Sequence, residues 1–322
     1  MKAVKTFLSI FLCVFACLFT LEQKAKAGDL SVRSSVFPKP NLSSISPRLE
    51  WRGGLALAAW SASFGGFSGL LIDQRGETIT ALTDKADILS ASLFYDSSGR
   101  LGTVNQASMS SLQVEAHITH FKRYDSESLT KLSDGSFIVS FERAHRFRQY
   151  RDLDGNGTTL PNPVAINHSS LNNGVEAVTD LPGNRLFAVA EKLRRQGGYR
   201  AWIFDGNQWE ILVYPRDQRW QATGATTSPN GNKVWLTERR FHGFTKGFES
   251  RIVELDVIDI QPGAFLQPKI LAHFGLGTEL GRNFEAISAV ERPNGETWIY
   301  LMTDNNFNPL QSTLLIAFAI SS

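Results

Sequence analysis

Apolar and polar residues alternate along this chain in short runs, and no apolar stripe of helical period persists for long. Five segments align with one another: "SGLLIDQRGETITALTDK" from Ser68, "ESLTKLSDGSFIVSFER" from Glu127, "EAVTDLPGNRLFAVAEK" from Glu176, "GATTSPNGNKVWLTERR" from Gly224 and "EAISAVERPNGETWIYLMTDNN" from Glu285. Each is an alternating strand, a Gly-bearing turn and a second strand that ends in an acidic residue, which is the pattern of a β-hairpin. Outer strands follow in "ILSASLFYD", "HRFRQYR", "YRAWIFDG" with "QWEILVYP", and "SRIVELDVI" with "KILAHF". The segments start 59, 49, 48 and 61 residues apart, and periods of roughly 40 to 50 residues holding several short strands mark propellers. The pattern predicts an all-β fold with few helices, a single β-propeller of five four-stranded blades. Six remain open if the two longer intervals conceal further strands.

The fifth segment is followed only by "STLLIAFAI", one strand short of a blade, while "LEWRGGLALAAW" near the N-terminus is one strand too many. Pairing the two closes the ring and removes the open edges of a free sheet. The propeller is therefore expected over residues 49–322. Residues 28–48, rich in Ser and Pro, read as an extended lead-in.

The first 27 residues combine Lys2 and Lys5, an apolar run from Phe7 to Leu21 and the exit Ala25-Lys26-Ala27. This is a secretory signal with cleavage after Ala27, too short in its apolar run to favour a retained span. Acylation at Cys17 is the alternative maturation, although Phe15 stands where a small residue is usual. Both cysteines, Cys13 and Cys17, lie in this segment, so the mature chain holds neither a disulfide nor a thiolate site. A periplasmic or secreted bacterial protein is expected. Removing four Lys and one Glu leaves 29 basic and 30 acidic residues; without a basic surplus, nucleic acid is not an expected partner. A monomer is expected.

In a propeller, the start of each first strand and the end of each second strand share one rim. Glu127, Glu176 and Glu285 stand at first-strand starts, with Ser68 and Gly224 in the other two segments. Asp84-Lys85, Glu142-Arg143, Glu191-Lys192, Glu238-Arg239 and Asp304-Asn305 stand at second-strand ends. So many carboxylates in one mouth repel one another unless cations compensate them. The neighbouring Lys and Arg supply part of that charge, and oxygen ligands without cysteine suit Ca²⁺ for the rest. Glu127, Glu176, Glu285 and Asp304 are the expected metal ligands. Glu142, Glu191 and Glu238 are catalytic candidates together with Arg143, Lys192 and Arg239, the three cations placed to hold an anionic group. The alternative is a structural role, with the acids accepting hydrogen bonds from nearby backbone. Three weaker candidates are "DLDGNGTTL" at Asp152, which has part of a calcium loop but Pro163 in place of its last Glu, and the lone histidines His145 and His168. "GGFSGL" around Ser68 lacks the spacing of a serine-hydrolase elbow.

Several motifs carry a family resemblance: "GGFSGL", "LTDK", "DSESLTKLSDGSFIVSFER", "NNGVEAVTDLPGNRLFAVAE" and "NFEAISAVERPNGETWIYLMTDNNFNPLQSTLLIAF". From about Gly53 to Ile320 the chain resembles the family named for the esterase-like activity of phytase. The resemblance implies an exported phytase-like propeller that hydrolyses phosphoesters or carboxylic esters. The expectation is thus a metal-assisted hydrolase of a small anionic or ester substrate. Its rival is a non-catalytic propeller that binds a ligand or protein partner at the same rim.

Overall fold

The computed structural model describes residues 28–321 apart from 116–123, 169, 171–172, 218 and 309, so the expected signal segment lies outside the described residues. The chain is all-β. Among the described residues, helical structure is limited to short 3-10 turns, and no helix is long and apolar enough to cross a membrane.

Two short strands, β1 (Gly28–Leu30) and β2 (Val32–Val36), precede the long β3 (Leu49–Ala59). An antiparallel meander follows, of β4 (Phe67–Ile72), β5 (Thr78–Thr83), β6 (Asp87–Tyr95) and β7 (Leu101–Ser111). The second meander is β8 (Ser126–Lys131), β9 (Phe137–Phe141), β10 (Arg146–Tyr150) and β11 (Thr158–Leu160). The third is β12 (Val175–Leu181), β13 (Arg185–Arg195), β14 (Gly198–Phe204) and β15 (Trp209–Pro215). The fourth is β16 (Gln221–Thr227), β17 (Lys233–Phe241), β18 (Phe248–Asp256) and β19 (Lys269–Phe274). Last come β20 (Phe284–Glu291), β21 (Thr297–Thr303) and β22 (Thr313–Ile320).

The two leftover strands do pair: β22 runs antiparallel to β3, with Leu315 opposite Leu55 and Ile320 opposite Leu49. A single parallel pair, Gly53 with Leu101, then joins this terminal sheet to the first meander, so hydrogen bonding runs through β20-β21-β22-β3-β7-β6-β5-β4. Gly53 has φ +112°, and a Cβ there would lie 2.6 Å from the Leu101 nitrogen; only glycine permits both. The lead-in is extended but not free. β1 pairs with β7, β2 pairs with β3, and the Phe37 ring lies 6.5 Å from that of Trp51.

The inner strands β4, β8, β12, β16 and β20 contact one another in a closed ring, and the core is divided among the seams between adjoining sheets. Leu82 and Ile88 meet Leu129 and Val139; Ile138 and Phe147 meet Val178 and Ala188. Leu212 and Tyr214 meet Leu236 and Val253; Trp235 and Ile252 meet Ile287 and Ile316; Tyr300 and Leu315 meet Phe67 and Leu70. The architecture is propeller-like, with the inner and second strands of the sheets largely buried and the outer strands more exposed.

Three of the aligned segments open on Glu, a small residue, an aliphatic residue and Thr or Ser ("ESLT", "EAVT" and "EAIS"), and this motif follows from the packing. Every inner strand begins with a register shift that leaves one residue unpaired: Ser68, Glu127, Glu176, Thr223 and Glu285. Such a bulge bends the strand and re-aims that one side chain. The next residue is Gly69, Ser128, Ala177, Gly224 or Ala286 because neighbouring inner strands approach closely. A Cβ on Gly224 would lie 2.3 Å from the Glu285 carbonyl oxygen. The aliphatic residue fills the seam. The hydroxyl that follows accepts from an N–H of the next sheet: Thr130 from Asp180 (3.3 Å), Thr226 from Ala289 (3.2 Å) and Ser288 from Ile72 (3.0 Å). Adjoining inner strands share no ladder, so these side chains satisfy backbone donors that would otherwise be buried unpaired.

A chain that starts at Ser61 lacks β3, leaving β22 with an open apolar edge. It is expected to aggregate in solubility and melting assays. A soluble, cooperatively unfolding product would contradict the closure.

Candidate functional site: the acidic mouth of the ring

Strand register decides which side chains share the mouth. At the second-strand ends, the residues paired with the position just before the bulge are Thr83, Phe141, Ala190, Glu238 and Thr303. The residues that follow them, Asp84, Glu142, Glu191, Arg239 and Asp304, are therefore equivalent. This corrects the fourth repeat by one residue at both strands: Thr223, not Gly224, occupies the bulge, and Arg239, not Glu238, occupies the rim. A one-residue slip sends a strand side chain to the opposite face. Glu238 consequently leaves the mouth. It is buried, accepts from the Tyr214 hydroxyl at 2.8 Å and pairs with Arg251; burial raises its pKa, against the pull of Arg251.

Arg239 organises one half of the mouth. It pairs closely with Glu285, lies 3.3 Å from Glu191 Oε1 and 3.8 Å from Glu176 Oε2, and donates to Asn283 Oδ1 at 2.8 Å. Burial lowers its pKa, but Glu176, Glu191 and Asp304 outweigh this and raise it, so it stays charged. Asn283 donates in turn to Glu285 (3.0 Å) and Asp304 (3.4 Å). Burial and the neighbouring Glu191 still push Glu176 well above the usual carboxylate range, with Arg239 pulling the other way. Burial likewise lifts Asp304 to about 6, opposed by the Asn306 N–H and Arg239. Lys192 pairs with Glu191 and leaves its side chain 45% exposed at the rim.

The other half holds Asp84, Asp125, Glu127 and Glu142. One carboxylate oxygen from each of Asp125, Glu127 and Glu142 lies within 4.8 Å of the others, a group that could hold a metal ion. Arg143, at positive φ (57°), pairs with Asp125. Glu142 accepts from the Gly174 N–H at 2.7 Å. Burial is the first cause of each carboxyl's rise in this half; like charges add to it at Asp84, Glu127 and Glu142, and Arg143 opposes it at Asp125. Glu127 rises well above its ordinary value beside Glu176 and Glu142. Glu142 rises to about 7, although the Gly174 N–H opposes the shift. Asp84 rises to about 7 beside Asp304 and Asp125, and its Oδ1 is buried without a hydrogen-bond partner. A hard cation would relieve all four, and an all-oxygen donor set fits one.

Of the four expected metal ligands only Glu127 belongs to this group; Glu176 and Glu285 are bound to Arg239, and Asp304 lies between the halves. Sequence reading missed Asp125, whose sole signal was its place two residues before Glu127 in "DSES". The hydroxyls at the remaining bulges serve the fold. Ser68 donates to the Ser126 carbonyl at 2.6 Å and Thr223 to the Phe284 carbonyl at 2.9 Å, so neither acts as a nucleophile here. His145 Nε2 faces the Ser170 carbonyl at 3.1 Å, and burial lowers its pKa. The His168 side chain lies outside what is described. Asp152 and Asp154 form a turn between β10 and β11, at the end of the sheet opposite the mouth.

The family model described as phytase-like, esterase-like activity of phytase, matches residues 62–307. The chain belongs to the phytase-like family. The match spans Asp84, the three carboxylates of the candidate metal group and Arg239. No curated protein matches the chain. Among solved structures, this phytase-like chain is similar to YCF48 bound to a D1 peptide, at 10% identity and TM-score 0.38, with 80% of this chain and 68% of that one covered. It is also similar to a Trichoderma reesei carbohydrate-active enzyme of family AA12, at 11% identity and TM-score 0.45, with 91% and 98% covered.

Two outcomes follow for the mouth. Arg239→Gln leaves Glu176, Glu191 and Glu285 without their shared cation and is expected to cost about 3–5 kcal/mol in denaturant unfolding; a loss below about 1 kcal/mol would mean that Arg239 does not compensate them. The pH dependence is the second. Asp84 and Glu142, at about 7 in the folded chain and near 4 when unfolded, bind more protons folded than unfolded. Stability in chelator should therefore fall as pH rises from about 4 to 7, and Asp84→Asn should flatten that slope. A melting temperature that rises or stays constant over this window would refute the assignment.

Proposed function

We propose that the protein is an exported, metal-assisted hydrolase of small phosphoesters or carboxylic esters, built as a five-bladed propeller. Five blades follow if the single Gly53–Leu101 pair is read as a contact between two four-stranded blades, in keeping with the ring of five inner strands. The family supports the hydrolase class, and the charged, apolar and Ala-x-Ala segments of residues 1–27 support export.

The observation that carries the reading is the division of the mouth. Arg239 partly offsets the carboxylates of one half, while Asp125, Glu127 and Glu142 converge in the other half, where Arg143 pairs with Asp125. Calcium is the proposed ion, since it takes several oxygen ligands in flexible geometry. Bound there, it would polarise the ester oxygen and acidify a water. Glu142 is the candidate general base: its carboxylate, kept in place by the Gly174 N–H, would accept a proton from the attacking water. Arg143 uses its Nε on Asp125, and its guanidinium, with the half-exposed Lys192, binds the anionic group. Glu191 orients Lys192. Arg239, bound to three carboxylates, positions the mouth instead of the substrate, and Glu238 has no catalytic role.

That involvement of Arg239 also favours a second reading, in which the mouth binds a ligand without turning it over. Chromogenic phosphate and carboxylic esters, assayed with Ca²⁺ and with chelator, separate the two. The hydrolase reading expects calcium-dependent turnover that falls about 100-fold or more in Glu142→Gln and persists in Glu238→Gln. Inactivity in all conditions, with a Ca²⁺-induced melting shift retained, favours the binder. The shift itself should vanish in Glu127→Gln and survive in Glu285→Gln; no shift in the unmodified protein would overturn calcium.

A further inference from the structure

We infer that the mouth face docks on an anionic lipid surface. The four most exposed large apolar side chains among the described residues are Phe244 (100%), Trp60 (91%), Leu310 (91%) and Val164 (80%). All four sit on connections at one end of the ring. Trp60 lies between β3 and β4, Val164 between β11 and β12, Phe244 between β17 and β18, and Leu310 between β21 and β22. Two of these connections enter the inner strands β4 and β12 at their bulged ends, and two leave the rim ends of the second strands β17 and β21, so all four lie around the mouth. The Phe244 tip is built for exposure: its ring meets Phe241 edge-on at 5.5 Å, and Phe241 packs on Phe248 at 4.9 Å. The stem is thus held while Phe244 itself faces solvent.

Exposed charge is polarised toward the same end. The β13–β14 hairpin presents Lys192, Arg194 and Arg195, the β15–β16 connection presents Arg216 and Arg219, and Lys246 follows Phe244. Of these six, only Lys192 has an ion-pair partner among the described residues. Exposed acids on this face are few, Asp217 and Glu279 among them, and Asp217 is paired with Arg251. The opposite end carries the Gly turns, with exposed Asp134, Asp154 and Asp205. Apolar tips ringed by unpaired cations match an anionic bilayer, whose headgroups take the cations and whose acyl boundary takes the aromatic and aliphatic tips. A soluble polyanion would need the cations and leave the four apolar tips in water.

The test is independent of catalysis. The chain from Gly28, which contains every strand and core seam described above, is sedimented in chelator with vesicles of phosphatidylglycerol and phosphatidylcholine, and with neutral phosphatidylcholine vesicles. Binding is expected to the anionic vesicles, weakening with salt. Trp60→Ser with Phe244→Ser should lower the affinity about tenfold or more, and Arg194→Gln with Arg195→Gln about fivefold per residue at low salt. These side chains lie in exposed loops, so the variants should keep the parent melting temperature. Failure to sediment, equal binding to neutral vesicles, affinity unchanged in either variant, or retention by dextran sulfate without vesicle binding would each overturn the proposal.

Discussion

One extra residue at the head of each inner strand is the feature on which the rest of this structure depends. In a flat ladder, Glu127, Glu176 and Glu285 would be committed to a sheet face and buried in an apolar seam. The register shift frees each from pairing and turns it to the mouth, while the residues after it stay in step with the second strand. The same shift brings inner strands together closely enough to demand a small residue next. It also leaves N–H groups between sheets that Thr130, Thr226 and Ser288 accept. Fold and site are written in one four-residue motif, so its repetition reports both.

The gathered carboxylates then pose an electrostatic problem that the ring solves unevenly. Where the other sheets place Asp or Glu, the fourth places Arg239, and a single guanidinium serves Glu176, Glu191 and Glu285. Across the mouth Arg143 reaches Asp125, while Glu127 and Glu142 remain raised and Asp84 Oδ1 remains unpartnered. Burying like charges without compensation is costly, and the residual strain is concentrated where a cation would relieve it.

Outside the mouth, two clusters of buried charge are matched closely. Glu249 accepts from Arg240, His242 and His273, and although burial raises its pKa these bonds outweigh it and hold the carboxyl at about 2. Arg251 joins Glu238 to Asp217 and lies over the Trp220 ring at 4.5 Å. The contrast between these two satisfied clusters and the unsatisfied half of the mouth is what distinguishes a candidate site from a support.

The sequence by itself determined the strand-turn-strand repeat, the closing pair of β3 and β22, and the convergence of Glu127, Glu142, Glu176, Glu191, Glu285 and Asp304. Alternation, turn residues and period are local properties, and local properties survive in a one-dimensional reading. Tertiary structure decided the rest. Whether Glu238 or Arg239 faced the mouth turned on a single-residue register that "TERR" does not reveal, because either residue could be the one turned inward. Asp125 entered the candidate metal group only through its distance to Glu142 on another strand. Arg239 became a shared counter-ion through carboxylates 46, 48 and more residues away in the chain. Which charge meets which is a matter of spatial separation, and sequence spacing fixes that separation only after the ring has closed.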